Sequence, residues 1–346
     1  MLDIDSSYGE GGGQLVRTAV ALAAVTGNEV TLRNIRAKRD KPGLAPQHLA
    51  AVRAVAALCQ GQVDGLSLRS REVRLVPGTL TGGEYHFDIG TAGSISLVLQ
   101  ALLPVMIASV GTTMVTVTGG TDVRQAPPID YLRNVLLPLL ASMGIQAELD
   151  VIRRGYYPRG GGEVRVSVVP GRLTQLKPLA LDEPGGLVSI RGHAHVANLP
   201  EHIATRMRDA AFERVAPVSE IAPRVDVEVL DRARATGTGG GIVMWAQTQG
   251  GVLGAGRVAE RGIRAETLGN AVGEELAADV LAGATVDLHA ADQLLVYLAL
   301  ARGGSYLVRS ATTHARTAMW LLEQFLPVLF ELAPKGHLIH LTLVPS

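Results

Sequence analysis

The stretch Thr312-Thr313-His314-Ala315-Arg316-Thr317 sets an imidazole between a strand-like run, Gly304-Ser305-Tyr306-Leu307-Val308-Arg309, and an apolar run that reads as a helix. Imidazole is neutral for much of the time near pH 7, so it attacks an electrophile without a strong base to deprotonate it. A lone histidine at such a junction is more often structural, and here its company changes the reading. Near the other end stands Tyr8-Gly9-Glu10-Gly11-Gly12-Gly13-Gln14-Leu15-Val16-Arg17, a glycine-rich turn with one carboxylate that leads to an arginine. Glu10 is a hard oxygen donor suited to Mg²⁺ or Mn²⁺, and Arg17 offers the forked donors that match a phosphate. A nucleophilic nitrogen, a metal-binding carboxylate and a phosphate-seeking guanidinium together point to nucleotidyl transfer.

The elements that must position these groups alternate short β-like runs with longer helical ones. Glu29–Arg33, Arg71–Val76, Thr113–Val117 and Glu163–Val168 read as strands, and Pro46–Leu58, Gly93–Ile107 and Tyr131–Met143 as helices. A boundary signal at Asp182-Glu183-Pro184-Gly185-Gly186 precedes a segment with its own alternation: strands at Val188–Val196, Arg224–Val229 and Gly241–Ala246, and a helix at Glu201–Val215. The pattern predicts an α+β fold in which a small α/β module, 186–272, is inserted between two parts of a larger domain, 1–185 and 273–346. The module is expected to stand away from most of the chemistry. Two further glycine runs, Tyr157-Pro158-Arg159-Gly160-Gly161-Gly162-Glu163 and Gly237-Thr238-Gly239-Gly240-Gly241, fit neither a P-loop nor a dinucleotide fingerprint and read as tight turns. His193 and His195 share one strand face, but no third ligand lies near them in sequence, which favours a structural role.

Composition narrows the function classes. The chain has 346 residues, 47% of them hydrophobic, with 32 basic and 32 acidic side chains. A zero formal charge argues against coating long nucleic acid and leaves room for a local basic pocket that grips one end. Aromatics at 4% do not support a broad base-stacking platform. The single Cys59 excludes intrachain disulfides and cysteine zinc clusters. No basic-then-apolar leader is visible and no apolar run is long enough for a membrane span, so a soluble cytoplasmic protein is expected.

With these pieces in place, the chain resembles the RNA 3′-terminal phosphate cyclase family nearly end to end. The resemblance rests on Gly9–Gln14 with Arg17, Arg36–Leu44 with Gln47-His48-Leu49, and Gly90–Ser94 with Gln100. It continues in Gly119–Val123 with Pro127–Tyr131, in Ala291–Leu294, and in the block around His314. It implies repeated βαβαββ-like units in the large domain and an ATP-dependent enzyme that converts an RNA 3′-phosphate into a 2′,3′-cyclic phosphate. It further implies that His314 carries AMP covalently and that Glu10 holds the divalent cation. Arg17, Arg36, Arg39 and Gln47 would grip phosphates, and Gln100, Pro128, His289, Ala290, Ala291, Asp292 and Gln293 would surround the adenine nucleotide. The backbone amides of Gly90–Ser94, which opens a helix, are expected to receive an anion as well. Two positions depart from the family pattern: His289 stands where a tyrosine is expected, and Ala318 where asparagine is frequent. The expected partner is an RNA 3′ end bearing a phosphate; the oligomeric state stays open, a homodimer included.

Two other classes compete. Non-catalytic cyclase-like proteins of ribosome biogenesis lack the histidine, which His314 argues against. Enolpyruvyl transferases need no covalent histidine and form two similar halves, which an inserted module argues against.

Overall fold

Four mixed sheets and the helices that cover them make up the fold, and the computed structural model describes residues 1–171 and 173–345. In the first sheet β1 (Leu2–Asp5) and β2 (Val30–Arg33) are parallel, β4 (Val73–Val76) is antiparallel to β2, and β3 (Gln62–Asp64) lies outside β4. A parallel pair needs a crossover, which α1 (Gly13–Thr26) supplies, and α2 (Pro46–Leu58) leads from β2 to β3. The second sheet has the same order and senses. There β5 (Thr81–Asp88) and β6 (Val110–Gly119) are parallel across α3 (Ile95–Ala108), followed by β8 (Gly162–Val168) and then β7 (Ala147–Gly155). So does the third, with β9 (Leu179–Leu181) and β15 (Gly304–Val308) parallel, then β17 (Leu338–Pro345) and β16 (Val328–Lys335). Helix α8 (Leu288–Ala301) precedes β15, and α9 (Thr313–Phe325) follows it.

The helix expected over Tyr131–Met143 is interrupted. It consists of α4 (Ile129–Tyr131), a π turn over Leu132–Leu136 and α5 (Leu137–Ser142). Pro138 has no N–H for the Asn134 carbonyl, and the Leu137 N–H reaches back to the Leu132 carbonyl instead.

The fourth sheet is built from chain between β9 and α8. Its central strand β10 (Leu187–Ala197) pairs in parallel with β11 (Arg224–Leu230) and antiparallel with β13 (Gly239–Thr248), and β14 (Val252–Val258) lies beyond. Helices α6 (His202–Val215) and α7 (Ala265–Ala282) pack together on it. Gly269 and Gly273, one turn apart on α7, face the backbone carbonyls of Met207 and Ala211, where a Cβ would collide. Val272, the expected end of this segment, falls inside α7. Ile190, Ala194, Met207, Ile242 and Leu276 form a core apart from that of the other three sheets. Strand β12 (Ala235–Thr236) crosses the divide and pairs with Arg154 and Gly155 at the end of β7.

Helices α1, α2, α3 and α9 each start after the C-terminal end of a strand from a parallel pair, the edge where open α/β sheets place ligands. Because α1 packs against α2, α3 and α9, their N-terminal ends converge.

Candidate active site

His314 is the second residue of α9. Thr312 caps that helix by accepting the Ala315 N–H at 2.8 Å, while its own hydroxyl donates to Asp292 Oδ1 at 2.6 Å. The half-exposed imidazole faces Gln14 Oε1 through Nδ1 at 2.7 Å and Glu10 Oε2 through Nε2 at 3.2 Å. A carbonyl oxygen accepts only from an N–H, so Gln14 selects the Nδ1–H tautomer and leaves the lone pair on Nε2. That lone pair points at a carboxylate, an arrangement that draws a proton or a metal cation between them.

The Glu10 turn is fixed from two sides. Tyr8 stacks on Trp320 of α9 with ring centroids 3.9 Å apart. Gly9, at a φ of 57°, presses against the Thr317 side chain where any Cβ would clash. Lys38 Nζ donates to the Gly9 carbonyl at 3.1 Å, and Arg39 Nη2 lies 3.6 Å from Glu10 Oε2.

One turn beyond Gln14 on α1 is Arg17, only 7% exposed, whose Nε has no hydrogen-bond partner among the described residues. Burial pulls its guanidinium down to about 10. A buried charge without a counter-ion is costly, and an anion beside it would relieve that cost. It lines a cleft with Gln14, Gln100, Asp292, Gln293 and Ala318. Gln100 Nε2 donates to Gln293 Oε1 at 2.9 Å, and burial pushes the Asp292 carboxyl up to about 6.

Beside Arg17 sits His48, whose Nδ1 accepts the Ala45 N–H at 3.2 Å. Burial first, then Arg17 and Arg36, lower it to about 3, so it stays neutral. Gly13 has no room for a Cβ because the His48 ring occupies that space. Arg36 spends Nη1 on the carbonyls of Lys41 and Gly43, both at 2.9 Å, and so holds the loop as well as facing the cluster. Gln47 uses Oε1 to accept the Ser94 N–H at 3.2 Å, which leaves its amide nitrogen to donate.

Several expectations change here. Most amides of the Gly90–Ser94 turn are taken: Gly90 donates to Asp88 Oδ1, Gly93 to Thr91 Oγ1 and Ser94 to Gln47, so the turn is not the open anion nest its glycines suggest. Ala290 and Ala291 are buried in the packing of α8 and present no side chain to the cleft. His289 meets Tyr131 edge-on, centroids 6.0 Å apart, and its Nε2 lies 3.7 Å from Glu275 Oε1 on α7. Pro128 is buried against Gly256 of β14. Asp287, before α8, accepts the Tyr131 hydroxyl at 2.6 Å and the Gly254 N–H of β14 at 2.8 Å. The fourth sheet therefore reaches the start of α8, contrary to the expectation that its segment stands apart.

His193 and His195 do find a third potential ligand, Asp130, with all three ligating atoms close together. Arg154 occupies the place a cation would take. Its Nη2 lies 2.6 Å from Asp130 Oδ2 and 3.4 Å from His193 Nδ1, and its Nη1 lies 3.1 Å from Asp122 Oδ2. The cluster joins the second and fourth sheets as a buried ion network. Gln14, Thr312, Lys38 and His48 stand within the motif blocks of the sequence, but no role was expected of them. Helical spacing to Arg17 was a usable signal for the first, and a threonine before an apolar helix for the second.

These groups set a buried guanidinium and a half-exposed imidazole on neighbouring helices, and comparison with known proteins places the chain in a family. A family model described as RNA 3′-terminal phosphate cyclase matches residues 8–332. A protein of that name from Nitrosospira multiformis is 52% identical, covering 100% of this chain and 97% of its own length. Namesakes from Methanopyrus kandleri and Methanococcoides burtonii are 44% and 41% identical over 97% and 99% of this chain, and over 96% and 100% of their own lengths. The chain belongs to the RNA 3′-terminal phosphate cyclase family.

Proposed function

We propose that this chain is an ATP-dependent RNA 3′-phosphate cyclase that works through a covalent histidine–AMP. The observation that carries the reading is His314, held between Gln14 and Glu10 beside the buried, unpaired Arg17. The Nε2 lone pair attacks the α-phosphorus of ATP, the α–β anhydride bond breaks, and pyrophosphate leaves. An oxygen of the RNA 3′-phosphate then displaces the histidine, which breaks the N–P bond and leaves AMP joined to the RNA end. Finally the adjacent 2′-hydroxyl attacks the phosphorus of the RNA's own 3′-phosphate, loses its proton, closes the ring and breaks the bond to the bridging oxygen, so that AMP leaves. Adenylylation makes sense because a phosphate monoester has only poor leaving groups, and AMP is a far better one.

Arg17 and Arg39 supply positive charge where phosphoryl oxygens gather, a contribution that is mainly electrostatic positioning. The orphaned Arg17 Nε fits an anionic ligand, and the Glu10 carboxylate fits a divalent cation that also binds phosphate oxygens. Bound there, the cation would offset charge on the leaving pyrophosphate. The cleft between α1, α3 and α8, with Gln100, Asp292 and Gln293, suits the nucleoside: Asp292 can accept from ribose hydroxyls and Gln293 can meet a base edge. His289, half-exposed one turn before Gln293 on α8, would flank the base. The RNA end would reach Arg36, Arg39 and Gln47.

We also read the chain as three βαβαββ units, the third split by an inserted module running from β10 through α7, and as a cytoplasmic protein. No helix among the described residues is long and apolar enough to cross a membrane.

The test is ATP labelled at the α-phosphate. Wild-type protein should retain acid-labile label after denaturation, and His314→Ala should retain none while keeping its circular dichroism. Label on the variant would disprove the assignment of the nucleophile.

A further inference from the structure

The Tyr157–Gly162 turn has no part in the chemistry above, yet it forms one wall of a groove of about 770 Å³. Tyr157, Arg159, Asn198, Arg232 and Thr236 line it, from the second sheet on one side and the fourth on the other. Tyr157 is 79% exposed, an aromatic ring left in water with no core to fill. Arg159 and Arg232 are exposed and have no carboxylate partner among the described residues. The neighbouring arginines are paired: Arg153 with Glu163, Arg154 with Asp122 and Asp130, and Arg234 with Glu228. In a chain of zero net charge, this groove therefore concentrates positive charge that no carboxylate among the described residues pairs with.

The walls are rigid. Gly160 and Gly161 are left-handed, at φ of 66° and 69°. The Gly161 carbonyl accepts from Arg153 Nε at 3.0 Å and Thr236 Oγ1 at 3.3 Å, and Asn198 Nδ2 donates to the Gly237 carbonyl at 2.6 Å. A relay of contacts also links the wall of the groove to the active-site elements. Gly160 packs on the backbone of Thr91 and Ala92, and Ser94 of that same turn donates to Gln47, the neighbour of His48 and so of Arg17.

We propose that this groove holds the nucleotides preceding the RNA 3′-terminal phosphate, with Tyr157 stacked on a base and Arg159 and Arg232 on phosphodiesters. The inference rests on the proposed function. An exposed aromatic beside unpaired cations is the chemistry that grips a single strand without reading its sequence. The groove is short, so affinity rises over the first few nucleotides and then levels off. Beyond that point the RNA contributes nothing more.

The experiment follows cyclisation of RNAs from a dinucleotide to a decamer, all ending in a 3′-phosphate, together with α-labelling of the protein. In Arg159→Ala/Arg232→Ala and in Tyr157→Ala, labelling and dinucleotide turnover should match wild type. KM for the longer RNAs should rise on the order of tenfold, and Tyr157→Phe should restore it. The double variant should also lose about 1.4 from the slope of log affinity against log salt, roughly 0.7 for each single-strand phosphate contact. Wild-type kinetics on every length in these variants, with labelling intact, would overturn the groove and leave the cyclase reading standing. A wild-type protein that labels but cyclises no RNA of any length would overturn the cyclase reading, and the groove with it.

Discussion

Two arginines are buried among the described residues, and they are buried differently. Arg154, 3% exposed, is surrounded by Asp122, Asp130 and His193; burial pulls its guanidinium down, but the two carboxylates outweigh that and raise it. Arg17, 7% exposed, has no such company, and burial lowers it unopposed. The first is a joint between two sheets. The second is a buried charge without a carboxylate partner among the described residues, and the proposed function assigns it to an anionic ligand. Burial alone therefore does not tell an architectural arginine from a ligand-binding one; the presence of a counter-ion does.

That contrast can be broken by mutation. Arg154→Ala leaves Asp122 and Asp130 facing each other in a dry interior, and should cost about 3–5 kcal/mol of stability in denaturant unfolding. A loss under 1 kcal/mol would remove the network from the architecture. Arg17→Met should behave oppositely, with stability unchanged or raised by about 1 kcal/mol and cyclisation slowed about 10- to 100-fold. Pyrophosphate at about 100 times its Kd should stabilise wild type by about 2.7 kcal/mol and Arg17→Met by little. Equal stabilisation of both would place the anion elsewhere.

A smaller effect comes from Asp292, which shares the cleft with Arg17 but is not paired with it. Its carboxyl is pushed up to about 6 by burial, with Thr312 and His314 pulling the other way. A raised folded value means its favourable contribution is complete below the unfolded value near 3.8 and is lost as pH rises through 6. Asp292→Asn should remove a decline on the order of 3 kcal/mol across that window. Stability curves of the two proteins that stay parallel from pH 4 to 6 would rule this out.

The residues proposed to carry the chemistry could be picked from the sequence because they sit in short blocks: His314 after its threonines, Glu10 within glycines, Arg17 a few residues on. Pro46–Leu58 could be bounded to the residue, since proline opens it and its alanines and leucines continue it. What escaped was long-range. Tyr131 and Asp287 are 156 residues apart in the chain, and no local pattern announces their hydrogen bond. Strand β5 was overlooked because Gly82 and Gly83 interrupt its alternation; Gly82 is required there by the nearby Gly111 backbone. The lone state of Arg17, the most informative property of the site, is a statement about what fails to approach it, and only packing can make it.

Strand β12 has a consequence outside catalysis. By pairing with Arg154 and Gly155, its two residues cover part of the edge of the second sheet. An uncovered strand edge offers N–H and C=O groups to any other chain that can extend along it. Ala235 and Thr236 thus act as a stopper on that edge, keeping its backbone occupied when many copies of the protein crowd together.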